Sequence, residues 1–168
     1  MSKLDEFLLT IDTVNLWIGR FIAFVIPLIM LFASYEVIMR YVFNAPTIWV
    51  WDINKMLFAF ITFMGAGYTL MKGGHIAVDV FYAKWSDRTK AVVDIVTFPL
   101  FIIFIGILLY TLGEFALVSI QEREVVSSAW APPFYPLKIA MFVGTFLLFM
   151  QGFGKFLRDL RAAITPQK

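Results

Sequence analysis

The stretch "FPLFIIFIGILLY", Phe98 to Tyr110, contains no charged residue and no alternation of polar with apolar positions. It lies inside a longer uncharged run, Ile95 to Gly113, which approaches the roughly 20 residues a helix needs to cross the hydrocarbon core of a bilayer. A strand of a membrane barrel would place polar and apolar side chains alternately, so this run reads as helix. A bilayer has no water for unpaired peptide groups, and a helix satisfies them within one segment. Three more uncharged runs follow the same rule: Phe21 to Tyr35, Met56 to Met71 and Ile139 to Gly154. They are shorter than a full span. Each therefore takes in flanking charges such as Arg20, Glu36, Lys55 and Lys138 near its ends, where long side chains reach the headgroups. The expected fold is an all-α integral membrane protein with four transmembrane helices, at approximately 20–41, 50–72, 91–114 and 134–156 of a single membrane domain, 1–168.

Composition points the same way. The chain has 168 residues, 61% hydrophobic and 15% charged, with a mean hydropathy of +0.82, more apolar surface than a soluble domain of this length can hide in one core. Acidic residues stand where a cleavable signal would be basic, and no small-residue cleavage site follows, so the first span is expected to stay in the mature protein. Residues 1–19 read as an amphipathic N-terminal lead-in helix. Leu4, Leu8, Ile11, Asn15 and Ile18 recur at steps of three and four, with Phe7 and Val14 alongside, which suits a helix lying in the membrane interface.

Orientation follows from lysine and arginine. With four spans, Lys3, Arg20, Lys72, Lys84, Arg88, Lys90, Lys155, Arg158, Arg161 and Lys168 share one side, against Arg40, Lys55, Arg123 and Lys138 on the other. The positive-inside rule then places both termini in the cytoplasm. Tyr41, Trp49, Trp51, Trp130 and Tyr135 would line the outer interface, and Trp17, Tyr82 and Trp85 the inner one.

Two pairs of charges lie near the outer ends of spans. Glu36 and Arg40 are four residues apart, acid first, the favourable order on a helix, and Asp52 and Lys55 are three apart. An ionisable group in a span is often part of a proton or cation pathway; the simpler reading is that each charge neutralises its neighbour. The paired glycine or proline breaks of a midplane substrate site are missing, and Pro27 and Pro99 stand singly as bends. His75 is the one histidine, in "LMKGGHIAVDVFY", Leu70 to Tyr82. A bis-histidine haem needs two axial ligands, and the glycines at 73 and 74 suit a helix C-cap, so this segment reads as a connector between helices two and three.

The absence of cysteine removes thiolate metal sites and cysteine nucleophiles, and the chain carries no glycine-rich phosphate loop and no HExxH. Neither an enzyme nor a nucleic-acid-binding protein is expected, and no cofactor or metal. What the spans do carry is small residues: Ala140 with Gly144, Thr62 with Ala66, and the GAG at 65–67, which let helices approach closely.

These segments also carry a family resemblance. "RYVFNAPTIWVWD", Arg40 to Asp52, resembles the R-Y-x-F-N-x-P-x-x-W-x-x-E signature of the small membrane subunit of tripartite ATP-independent periplasmic (TRAP) transporters, the DctQ-like family. Gly65, Ala66, Gly74, His75, Val78 and Asp79 are similar to that family's G-A stretch and G-x-H-x-x-V-D connector. "SSAWAPPFYPLK", followed by Gly144 and Gln151, resembles the last loop and fourth helix of one branch. Asp52 stands where the family commonly has glutamate, which keeps the charge on a shorter side chain. The resemblance spans roughly residues 15–160.

It implies a three-part secondary transporter in the bacterial inner membrane, driven by sodium and taking up carboxylates or other organic acids. A periplasmic solute-binding protein would capture the solute, and a large membrane subunit would hold the substrate and sodium sites. This chain would support that subunit in the lipid bilayer. Arg40, Asn44, Pro46, Trp49, Asp52, His75, Asp79, Trp130 and Pro132 are then candidate structural or subunit-interface residues. Asn44 and Pro46 suit a tight turn, and Arg40 and Asp52 on its two sides are placed to pair with each other or to reach a partner. The rival classes are an autonomous four-helix transporter, which would want a carboxylate nearer the midplane than Glu36, and a respiratory-complex anchor, which would want haem histidines.

Overall fold

A computed structural model describes residues 3–73 and 87–164. Four helices fill them: α1 Lys3–Tyr41, α2 Val50–Met71, α3 Asp87–Gln121 and α4 Tyr135–Ile164. Each expected span falls within one helix to within a residue, and three helices contain a segment long and apolar enough to cross a membrane: Asp5–Tyr41, Ile95–Gln121 and Tyr135–Arg161. α2 falls short of that measure. Asp52 and Lys55 occupy its first turns, although its 22 residues would rise about 33 Å. Pro27 and Pro99 sit inside continuous α1 and α3.

The helices lie side by side in the order α1, α2, α4, α3, with α2 and α4 in the middle and a smaller contact between α1 and α4. Glycine sets the closeness of the central pair. A Cβ on Gly144 of α4 would lie 2.5 Å from the Phe63 carbonyl oxygen and 2.8 Å from the Met64 nitrogen, so these two backbones touch, as the small-residue spacing leads one to expect. On α1, a Cβ at Gly19 would meet the Tyr68 ring at 2.4 Å, and one at Gly67 of α2 would meet Asn15 Oδ1 at 2.2 Å.

The lead-in is the first half of α1, not an element of its own. Its stripe turns inward: Leu8, Ile11 and Asn15 are buried, continuing through Ile22 and Val25, while Phe7, Leu9, Val14 and Trp17 are exposed on other faces. α2 ends at Met71, and Gly73 takes φ +69° with its N–H donating to the Leu70 carbonyl at 3.1 Å, the cap expected of that glycine. Gly74, His75, Val78, Asp79, Tyr82 and Trp85 lie outside the described residues. At the opposite end, Tyr41, Trp51, Trp130 and Tyr135 are exposed, in keeping with an aromatic belt.

Candidate functional site

The turn between α1 and α2 is built on Glu36. Arg40, one turn later, reaches Glu36 Oε1 with Nη2 at 2.5 Å and Nε at 3.1 Å. The second carboxylate oxygen accepts from the Thr47 backbone N–H at 3.1 Å and from the Thr47 hydroxyl. One carboxylate thus ties the end of α1 to the chain entering α2. Asn44 turns the chain at φ +51°, a conformation asparagine tolerates better than most residues, and Pro46 follows it before the N–H of Thr47 points back. Trp49 closes the turn against α1, 5.8 Å from the Phe32 ring and 6.0 Å from Tyr35.

Asp52 and Arg40 do not pair with each other. Asp52 Oδ1 takes Lys55 Nζ at 3.0 Å, as their spacing leads one to expect, and the residue is 2% exposed. Ser128, from the loop between α3 and α4, stands close enough to act on this carboxylate, but not in a geometry that gives Oδ2 a hydrogen bond. That loop is itself tied down. The Val126 N–H donates to the Pro132 carbonyl at 2.9 Å, the Phe134 N–H to the Glu124 carbonyl at 2.8 Å, and the Ala131 N–H to Ser128 Oγ at 3.1 Å. Pro132 is buried under it, while Trp130 is exposed on it.

Glu124 joins the loop to α4 through Lys138, which also lies over the Phe134 ring at 5.2 Å and the Phe115 ring at 5.7 Å. The Lys138 ammonium holds the Glu124 carboxyl below the usual glutamate range, with Ser119 a smaller cause that acts without a well-formed hydrogen bond. Among the described residues, three other than glycine adopt left-handed backbone angles, Asn44, Arg123 and Ala131, and all belong to these two loops. Such angles persist only where surrounding bonds fix them.

A second polar structure joins the other ends of α1 and α4. Asn15 Nδ2 donates to Gln151 Oε1 at 2.8 Å, and Gln151 Nε2 donates to Asp12 Oδ1 at 2.8 Å. Arg158 Nη2 then reaches both Asp12 oxygens at 2.9 Å, and Arg161 meets Asp5 at 2.7 Å. Asn15 and Gln151 are fully or almost fully buried. The sequence reading missed this seam as a unit, placing Asn15 only in a lead-in stripe. Its signal was one uncharged polar residue on the apolar stripe of the lead-in and another inside the apolar run Ile139 to Gly154, because such residues turn toward partners and away from lipid.

Among the described residues no group of three metal-ligating side chains occurs, and Glu36 and Asp52 each pair with a cation on their own helix. The arrangement holds helices and loops; it has no nucleophile with a base beside it. Against protein-family models, residues 29–162 match "Tripartite ATP-independent periplasmic transporters, DctQ component". That stretch takes in both outer loops and all of α2 and α3. The chain belongs to this family. It is a transmembrane transporter component, not an enzyme. Comparison with curated protein sequences finds no match. For a DctQ component, the end opposite the termini holds Arg40 of α1, Asn44, Pro46 and Trp49 of the turn after it and Asp52 of α2, and the loop between α3 and α4 carries Trp130 and Pro132. His75 and Asp79, the remaining candidates, lie outside the described residues. Thr47, Glu124, Ser128 and Lys138 are further members that the sequence did not single out.

Proposed function

We propose that this chain is the small membrane subunit of a sodium-coupled uptake system for organic acids, chiefly carboxylates. It sits in the bacterial inner membrane, multi-pass, with both termini cytoplasmic. A large membrane subunit carries the substrate and sodium sites, and a periplasmic solute-binding protein delivers the solute. The observation that carries the reading is the family match over residues 29–162. The pairing of Glu36 with Arg40 and of Asp52 with Lys55 supports a holding role, since these acids serve the fold at the outer end.

In this reading α2 is the fourth span. Its charges lie in the first turns at the outer boundary, and α1 and α4 flank it. The 37-residue segment of α1 rises about 55 Å, well beyond a hydrocarbon core of about 30 Å, so its first part emerges on the cytoplasmic side with its stripe packed on α4. Arg40, Asn44, Pro46, Trp49 and Trp130 then present a preformed outer surface to the partner, with Asp52 and Pro132 buried beneath it and His75 and Asp79 in the inner connector.

Reconstitution tests this. Liposomes holding the large subunit and this chain, supplied with the binding protein, should take up solute on a sodium gradient. Liposomes lacking this chain should not, and liposomes holding it alone should stay inactive. Uptake by the lone chain, or undiminished uptake without it, refutes the support role.

A further inference from the structure

At its outer end the groove between α2 and α4 opens into a cavity of about 240 Å³. Met56 and Ala59 of α2 face Leu137 and Met141 of α4 across it, and Phe134 closes it from the loop side. Its walls are apolar apart from two groups. Asp52 lines it from a buried position, and Oδ2 has no hydrogen-bond partner among the described residues, while Oδ1 is held by Lys55 at 3.0 Å. A buried carboxylate oxygen without a donor is costly, and a bound N–H recovers that cost. Lys55 is half exposed and lies 5.8 Å from the Trp51 ring.

The order of these groups along α2 carries the argument. Asp52 is outermost, Lys55 lies one turn further in, and Met56 and Ala59 lie deeper, opposite Leu137 and then Met141 on α4. A lipid of the outer leaflet presents the same order from the surface inward: a headgroup nitrogen, a phosphate, then an acyl chain. Anion, cation and apolar wall would each meet their complement at the right depth.

We propose that this cavity binds one phospholipid with a primary-ammonium headgroup. The ammonium donates to Asp52 Oδ2, the phosphate lies against Lys55, and the upper part of an acyl chain runs along Met56, Ala59, Leu137 and Met141. A trimethylated choline headgroup carries the same charge but has no N–H to donate, so Asp52 selects against it.

The full-length chain, reconstituted in nanodiscs with equal amounts of phosphatidylethanolamine and phosphatidylcholine, is extracted in mild detergent, and its retained lipids are quantified by mass spectrometry. Phosphatidylethanolamine should be enriched several-fold over phosphatidylcholine. Asp52→Asn should bring the ratio back toward one, and Ala59→Phe, which fills the groove, should lower the retention of both lipids. A wild-type ratio of one overturns the proposal whether or not either variant folds. So does an enrichment that survives Asp52→Asn in a variant of native helix content. An enrichment that disappears when the larger membrane component is co-purified also overturns it, because the cavity then takes a protein side chain.

Discussion

Gly144 and Gly106 both lie in long apolar helices, but a methyl group added at each meets different surroundings. At Gly144 it would press into the backbone of Phe63 and Met64, which cannot move without displacing α2; at Gly106 it would meet nothing within 4 Å. Gly144→Ala should therefore destabilise the chain by about 1–3 kcal/mol, whereas Gly106→Ala should be neutral or stabilising by up to about 1 kcal/mol through helix propensity. Thermal unfolding of the two variants in the same detergent compares them directly, and equal effects would mean that α2 and α4 do not approach so closely. Glu36 and Arg40 form a similar contrast. Arg40→Ala removes a half-exposed partner and leaves Glu36 held by Thr47, so it should cost less than about 1 kcal/mol. Glu36→Ala leaves the Thr47 N–H without its acceptor and should cost about 1–3 kcal/mol. At this scale the sequence was legible wherever the partner lay one helical turn away, as with Glu36 and Arg40 or Asp52 and Lys55. It was not legible for Thr47 or Ser128, whose positions depend on how a turn folds back. The opposition of Arg40 and Asp52 across the turn was a fair reading of spacing, but a near neighbour on its own helix claims each charge first.

Between elements, the seam of Asn15, Gln151, Asp12 and Arg158 couples α1 to α4. Gln151→Leu leaves the buried Asn15 amide nitrogen with only its Ile11 carbonyl partner and removes one of the bonds to Asp12, at a cost of about 1 kcal/mol. Asn15→Leu together with Gln151→Leu removes both members of the buried bond, so the double variant should lose less than the sum of the singles. Strict additivity in a double-mutant cycle would show that the two amides do not interact. The loop between α3 and α4 makes a pH prediction. Because Lys138 lowers the Glu124 carboxyl in the folded chain, their pairing contributes stability that is fully present above the ordinary glutamate value of 4.5. That contribution is lost as the pH falls through the lowered value, when Glu124 protonates in the fold. Melting curves from neutral pH down to acid should show a loss of stability that Glu124→Gln reduces, and an unchanged profile in that variant would assign the acid sensitivity elsewhere. The four helices could be read from uncharged runs alone because a span is a local property of composition. The inward turn of the first half of α1 could not. An amphipathic stripe has the same period whether it meets headgroups or a neighbouring helix, and only the Asn15 partner on α4 distinguishes them here.

For the whole molecule, the order α1, α2, α4, α3 leaves α1 and α3 at the two flanks, each with an exposed apolar face: Phe24 and Leu31 on one, Leu100 and Ile107 on the other. No pattern in the sequence fixes this order. It follows from which glycines admit which neighbours, Gly144 toward α2 and Gly152 toward Phe101 of α3. Orientation across the membrane, by contrast, rests on charge. In the proposed four-span topology, ten basic residues fall on the side of the termini and of the connector between α2 and α3, against four on the side of the other two loops. The excess predicts that Ser127, exposed in the loop between α3 and α4, faces the periplasm, and that Thr89, exposed in the first turn of α3, faces the cytoplasm. The chain has no cysteine, so Ser127→Cys and Thr89→Cys each introduce a single reporter. An impermeant thiol reagent that crosses the outer membrane but not the inner one should label Ser127→Cys in intact cells, and should reach Thr89→Cys only after the inner membrane is opened. The reverse pattern would place the candidate partner surface around Asn44, Trp49 and Trp130 on the cytoplasmic side, out of reach of any periplasmic solute-binding protein. Labelling of both sites in intact cells would instead deny that α3, which lies between them, crosses the membrane with a fixed inside and outside. The experiment thus tests the arrangement of spans and the proposed partner geometry together, and it needs neither a known solute nor a purified partner.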